Sequence, residues 1–295
     1  MPVCSSNTWA DDLSPAEQAL VSKVWEEGGR RYRDLPWRGI DDPYAVLLSE
    51  IMLQQTQVAR VEKYWQRFLS LFPTLDALAS AETSLVLEMW QGLGYNRRAL
   101  ALKRTAEICS AEHGGMLPET LDGLLALPGI GKATAGGVMA FAYQKPAVYL
   151  ETNVRTVFIH ELFPDAEKVS DGQIEIPVQR TCSVDDPRGW YYALLDYGNY
   201  LKATLPNPSR RSAHHAKQSK FEGSRRQKRA ELVRFVLAQR EASFDDLLAA
   251  LTLFEKGQGR EAPDAALVRS IADDLAQEGF FARKGEGDRV RYYVQ

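Results

Sequence analysis

The sequence predicts a mostly α-helical protein. Apolar residues recur three and four positions apart through most of the first 200 residues, Gly/Pro punctuators separate these runs, and strand-like alternation is scarce before residue 278. Chains built this way bury their apolar stripes helix against helix. No internal repeat of solenoid period is present.

In chain order, residues 1–33 hold an N-terminal extension and a first helix. Ala45–Gln57, Val58–Leu71, Leu85–Leu93, Arg97–His113 and Leu121–Leu127 follow as helices, broken by Phe72-Pro73, Gly92–Gly94, Gly114-Gly115 and Pro128–Gly131. Thr134–Ala142 is the next helix. In VYLETNVRTV an apolar run then stops at Glu151, and another helix begins. These elements form one domain over residues 34–208. A basic linker (209–226) leads to a run with a different texture. Gln227–Arg240 is helical, SFDDLLAAL opens a helix capped by Ser243, and Pro263–Glu278 gives a third. FFARKGEGDRVRYYV reads as two strands around a glycine turn. Three helices closed by a hairpin make residues 227–295 winged-helix-like, a module that docks on DNA or on protein.

The 295 residues are 45% hydrophobic and 25% charged, ordinary for a globular protein. No apolar run reaches the roughly 20 residues a membrane span needs. The N-terminus lacks the pattern of a signal peptide, so the expected location is the cytoplasm, in association with the bacterial nucleoid. The three cysteines (Cys4, Cys109, Cys182) are widely spaced and cannot form a four-cysteine cluster site, and no metal is expected. A net charge of −3 argues against a wholly basic DNA-coating protein. The charge is uneven, however. Arg210–Arg229 holds eight Lys/Arg against the single acid Glu222, as either a solvated linker or a phosphate-contacting segment.

The sharpest local signal is LPGIGKATAG (Leu127–Gly136), lying between two helices. Two glycines two apart make a tight hairpin whose amides can point outward together, and a helix N-terminus adds positive dipole character. Those are the parts of a phosphate site, with Lys132 adding a cation.

With LETNVRTV some twenty residues on, this segment resembles the helix–hairpin–helix (HhH-GPD) DNA glycosylase superfamily. LPWR (35–38), DPYAVLLSEIMLQQTQV (42–58) and GLGYNRRALAL (92–102) are similar to its adenine DNA glycosylase branch. The resemblance runs from about residue 34 to 200. It implies a two-lobed α fold that binds DNA across the hairpin and flips one nucleotide into a cleft. It assigns Glu151 and Asn153 to the position of the family's catalytic aspartate and its neighbouring asparagine. Glu50 takes the position of the glutamate that protonates the departing purine. Trp37 and Arg38 fall on the base pocket, and Gln54, Gln55 and Tyr95 on the duplex at the flipped site. Leu127, Gly129, Gly131, Lys132 and Thr134 fall on the phosphate-gripping hairpin. The implied partner is double-stranded DNA containing a lesion or mismatch, met by a monomer, with no membrane involved.

The chemistry gives an independent reason for two acids. Breaking an N-glycosidic bond passes through a cationic sugar that an anion stabilises, while a nitrogen leaving group needs a proton. Glu50, among Leu47, Leu48, Ile51, Met52 and Leu53, should have a raised pKa. Glu151, at a helix start, should favour the anion. Taken singly, Glu151 reads as a helix-dipole partner, Glu50 as a surface glutamate, and Trp37 and Tyr95 as packing residues.

Four departures from the family pattern matter. Glu151 stands where the family has aspartate, and its extra methylene moves a carboxylate by about 1.5 Å. Ala133 replaces the lysine of lyase-active members, so a monofunctional hydrolase is expected. The 4Fe–4S cysteines that normally follow the segment WYYALLDYGNYL (190–201) are lacking, so no cluster is expected. In their place the basic segment offers Arg210, Arg211, Lys217 and Lys220 to phosphates. A Nudix-like reader of 8-oxoguanine is also not expected, the region after residue 227 being too short for one. The expected function is base excision by N-glycosidic hydrolysis, with adenine opposite 8-oxoguanine as the first substrate. A thymine/uracil mismatch or other-lesion glycosylase and a non-catalytic DNA-damage binder or regulator are the alternatives.

Overall fold

The computed structural model describes residues 8–215, 220–285 and 289–294. Helices dominate. In chain order they are α1 (Pro15–Arg31), α2 (Pro43–Leu53), α3 (Val58–Leu71), α4 (Leu75–Ser80), α5 (Thr83–Trp90), α6 (Arg97–Glu112), α7 (Leu121–Leu125), α8 (Lys132–Phe141), α9 (Thr152–Leu162), α10 (Asp171–Thr181) and α11 (Pro187–Thr204). A 3-10 turn, Pro208–Arg211, follows. The C-terminal elements are α12 (Arg225–Gln239), β1 (Glu241–Ser243), α13 (Phe244–Gly257), α14 (Ala265–Gln277), β2 (Ala282–Lys284) and β3 (Arg291–Tyr293).

The chain divides into two units, Met1–Gln54 with Met116–Lys217, and Gln55–Gly115 with Gln218–Gln295. This differs from the division read in the sequence. The C-terminal helices group with α3–α6 rather than standing apart, because ion pairs cross between them. Arg97 and Arg229 share Glu278, and Arg240 pairs with Glu88 at 3.2 Å.

The first unit is organised around α11, whose Trp190, Tyr191, Leu194 and Leu201 are buried. Close approach is made possible by glycine. A Cβ at Gly28 of α1 would sit 2.3 Å from the Ala193 Cβ, and one at Gly198 would sit 2.3 Å from the Asn153 carbonyl oxygen. The ends are fixed by caps. Ser14 and Glu17 form a capping box on α1, and Asp42 caps α2 with Pro43 at its first turn.

In the second unit α4 and α5 pack on α6, with Phe68, Trp90 and Phe72 in the core. The C-terminal part is three helices and an antiparallel sheet of order β1-β3-β2. The hairpin read in the sequence is present, and β1, only three residues long, joins it on the far side of β3. Among the described residues no helix is long and apolar enough to cross a membrane.

Candidate active site

The site is built in the first unit where α2, α8 and α9 converge. α2 is apolar around almost its whole circumference, with Tyr44–Ser49, Ile51 and Met52 buried. Glu50 is the acid in this helix. It keeps some accessible surface yet is surrounded by protein, as a group lining a crevice would be. Burial pushes its pKa up to about 8, the nearby charge of Glu151 pushes the same way, and a hydrogen bond from the Tyr149 hydroxyl opposes them.

Room for that carboxyl group comes from α8. A Cβ at Gly137 would lie 2.5 Å from Glu50 Oε2 and 3.1 Å from Tyr149 Cε2. One at Gly136 would lie 2.3 Å from the Val148 carbonyl oxygen. The GG pair thus lets the segment Ala147–Leu150 and Glu50 both press against one helix. Tyr191 fixes this segment. Its hydroxyl donates to the Ala147 carbonyl oxygen at 2.5 Å and accepts from the Tyr149 amide at 3.1 Å. Tyr149 is thereby held with its ring edge-on to Phe141 and Tyr191.

Two residues later the chain enters α9, and Glu151 is its N-cap. Glu151 Oε1 accepts from the Asn153 and Val154 amides, 3.2 Å in the second case. Aspartate and serine normally make such caps. Here the longer side chain folds back to do so, with the backbone at Glu151 extended. The sequence predicts a site that favours the anion, and the net push is upward instead. Burial outweighs the two amides and the charges of Lys202 and Arg155. Arg155 is itself gripped by Asp171 at 2.8 and 2.7 Å. Neither Glu50 nor Glu151 is ion-paired with a described residue. Asn153 Oδ1, beside them, is enclosed without a described hydrogen-bond partner.

Other predicted residues fall in different settings. Arg38 is only 8% exposed, and its guanidinium is bound by Asp196 at 2.7 and 2.9 Å while also donating to the Arg33 carbonyl oxygen. It braces α11 rather than presenting its charge to a base, and Trp37 beside it is buried. Arg211 is also turned inward. It donates to the carbonyl oxygens of Ile159, Phe163, Pro164 and Ala166, closing the C-terminal end of α9, where a cation suits the dipole. Arg210 and Lys220 are exposed, whereas Lys217 and Cys4 lie outside the described residues.

The α7–α8 hairpin has the expected form. Gly129 has a φ of +75°, and Gly131 opens α8 with no side-chain cap, leaving first-turn amides available. A Cβ at Gly131 would meet nothing within 4 Å. Lys132 is exposed, while Leu127 and Thr134 are buried, Thr134 accepting from Gln54 Nε2 at 3.1 Å. In the second unit the turns carrying Gln55 and Tyr95 adjoin. Both residues have positive φ, 59° and 49°. Arg98 Nη2 ties the turns together by donating to Thr56 Oγ1 at 3.1 Å and the Gly94 carbonyl oxygen at 3.0 Å.

The sequence reading missed Tyr149 and Gly137. Tyr149 lies in an apolar run, and only pairing with Glu50 makes it more than packing. Gly137 lies just beyond the LPGIGKATAG segment, and nothing local marks it as space for an acid.

Residues 48–178 match the model of the HhH-GPD superfamily of base excision DNA repair proteins. An adenine DNA glycosylase of Mycolicibacterium smegmatis is 32% identical over 297 residues, covering 95% of this chain and 99% of that protein. An adenine DNA glycosylase of Mycobacterium tuberculosis is 43% identical over 130 residues, 43% of this chain and 42% of the relative. Among solved structures, a thermostable thymine-DNA glycosylase superposes with a TM-score of 0.58 at 24% identity, over 65% of this chain and 90% of that one. A non-covalent endonuclease III–DNA complex gives 0.52 at 18% identity, over 65% and 87%. These two likenesses bear on the fold.

Proposed function

Since the chain belongs to the HhH-GPD superfamily of base excision DNA repair proteins, and to its adenine DNA glycosylase branch, we propose that it hydrolyses the N-glycosidic bond of adenine mispaired in DNA, opposite 8-oxoguanine first of all. One observation carries the residue assignment. Two enclosed carboxyl groups of the first unit, neither in an ion pair with a described residue, lie close enough for the charge of Glu151 to act on Glu50, whose pKa burial pushes up to about 8.

In this reading Glu50 donates its proton to a ring nitrogen of the adenine, so the base leaves neutral. Glu151, pinned by the α9 amides, is the anion that stabilises the positive charge developing on the sugar. Water adds at C1′ and releases a proton, which restores the protonated Glu50, giving free adenine and an abasic site. Tyr149 orients Glu50, and Asn153 offers its enclosed Oδ1 to the substrate or the attacking water. The uncapped start of α8, with Lys132, holds a phosphate through amides and dipole. Gln55 and Tyr95 open the duplex. The base pocket is assigned to the Glu50–Tyr149 wall, not to Arg38. Ala133 supplies no amine for a lyase step.

The residues do not fit the iron–sulfur cluster of related enzymes. Three cysteines are fewer than four thiolates. Instead, Val169 pairs with Ser212, and Arg211 closes α9. We propose that the chain works without the cluster, and as a monomer.

The test is a panel of duplexes bearing single lesions and mismatches against every opposing base, followed by alkali. Adenine release opposite 8-oxoguanine or guanine is expected. Release of thymine or uracil would shift the substrate to a pyrimidine, and no release from any duplex would overturn the enzymatic reading.

A further inference from the structure

The second unit displays an aromatic and cationic cluster that joins Tyr95, assigned above to the duplex, to Phe221 and Arg226, which have no role in that reading. In the turn after α5, Gly92, Gly94 and Tyr95 all have positive φ. For a bulky aromatic this conformation costs of order 1–3 kcal/mol and persists only where its surroundings impose it. Here Trp90 Nε1 and Arg98 Nη2 both donate to the Gly94 carbonyl oxygen, at 3.2 and 3.0 Å. The turn is thus fixed with the Tyr95 ring 40% exposed.

Arg226, in the first turn of α12, donates from Nη1 to the Tyr95 hydroxyl at 2.9 Å. Its guanidinium carbon is 5.8 Å from the Tyr95 ring centroid and 6.0 Å from that of Phe221, whose ring is 48% exposed. The Arg98 guanidinium lies 5.4 Å from the Tyr95 centroid. Two exposed rings joined by one guanidinium plane contribute little as a core. They suit the π-face of a nucleobase, since aromatic and arginine faces both stack on bases and the cations complement an adjacent phosphate chain. Exposed Lys220 adds positive charge next to Phe221.

We propose that Tyr95, Phe221 and Arg226 form a stacking platform for the nucleobase left unpaired when its partner is extruded from duplex DNA. The C-terminal segment of the second unit then takes part in reading the strand opposite the excised base. This rests on the glycosylase reading, and extends it from Tyr95 to Phe221 and Arg226.

The probe is a duplex with 2-aminopurine opposite a tetrahydrofuran abasic analogue, which needs no turnover. Binding by the wild-type chain is expected to quench the probe. Phe221→Ala and Arg226→Gln should leave it bright and weaken binding about tenfold, as for loss of one base stack. Phe221→Leu should behave like Phe221→Ala, and Phe221→Trp should restore quenching, a pattern that apolar packing alone would not produce. Thermal midpoints should be unchanged, because the removed ring is half exposed. If the wild-type chain binds and excises while the variants quench and bind equally well, the platform is wrong and the glycosylase reading stands. If the wild-type chain binds no duplex, both are overturned.

Discussion

Two sets of enclosed acids in the first unit are treated in opposite ways. Asp196 on α11 is 2% exposed and saturated with donors. It accepts from Arg33 Nε at 2.5 Å, from the Arg33 amide at 3.1 Å, and from both ends of the Arg38 fork. Glu50 and Glu151 form no ion pair with a described residue, and the charges of Lys202 and Arg155 that act on Glu151 do not outweigh its burial. Their partners are a tyrosine hydroxyl and two backbone amides, and each keeps some accessible surface. The fully paired acid ties the start of α2's approach segment to α11 and has no capacity left for a substrate. The other two carry the cost of burial as raised pKa values, and at Glu50 that is what makes proton donation available. An acid's role in this fold is legible from which cations are withheld.

The largest contrast is between Glu151→Gln and Asp196→Ala. The first should lower single-turnover adenine release on the order of a thousandfold, the scale of losing a preorganised electrostatic group at a developing charge. It should leave DNA affinity and the melting midpoint near wild type. The second should do the reverse. It strands two guanidinium groups, one of them almost completely buried, and should cost about 3–5 kcal/mol of stability with little loss in rate per folded molecule. If Glu151→Gln melts the protein, Glu151 is chiefly a cap; unchanged turnover would remove it from the chemistry.

Glu50 sharpens the contrast through pH. As the acid it must be protonated, so activity should hold below pH 8 and fall as pH rises through about 8. Glu50→Gln should remove that alkaline limb and lower the rate roughly 10²- to 10⁴-fold. Stability has its own signature. The folded state keeps this proton above the ordinary value of 4.5, so the unfolded chain binds fewer protons between about 4.5 and 8. Stability should therefore fall with rising pH across that window, and Glu50→Gln should flatten the fall. Urea midpoints at several pH values read this directly. A flat wild-type profile would mean that Glu50 is not held protonated.

The helices could be read from the sequence because their apolar stripes are strongly periodic: Val58–Leu71 coincides with its observed bounds, and the glycine hairpin has its expected turn. The short α4 and α10, which contains Pro177, lack such a stripe. Glu50 and Glu151 were legible as a pair through the resemblance and the needs of the chemistry. Their surroundings were not. Whether Arg38 faces a pocket or an acid depends on Asp196, 158 positions away, and neither local pattern nor charge count contains that. Arg211 was misread for the same reason, since a basic run looks solvated until the carbonyl ends it closes are known.

Gly137→Ala gives a smaller effect within the same contrast. A Cβ at 2.5 Å from Glu50 Oε2 must push the carboxyl group aside without removing any chemical group. A displacement near 1 Å should cost on the order of a hundredfold in excision rate. The alkaline limb should move from its wild-type position, because the Tyr149 hydrogen bond is disturbed at the same time. Normal rates with a normal pH profile would show that the crevice tolerates the methyl group and that Gly137 serves packing alone.

Salt dependence should show the smallest effect, because half of the basic residues in the segment are already committed. Arg211 closes α9, Arg225 pairs with Asp274, Arg229 pairs with Glu278, and Lys228 pairs with Glu255 at 3.2 Å. Arg210 and Lys220 remain exposed on the described part of the run. Each cation that meets a phosphate contributes about 0.9 to the log–log slope of affinity against salt. The double variant Arg210→Gln/Lys220→Gln should thus reduce that slope by no more than about 2, where all eight basic residues together would give a far larger change. A loss well above 2 would mean that the internal ion pairs open on DNA. No loss at all would restrict phosphate binding to the α8 hairpin and leave the segment as the brace that its contacts describe.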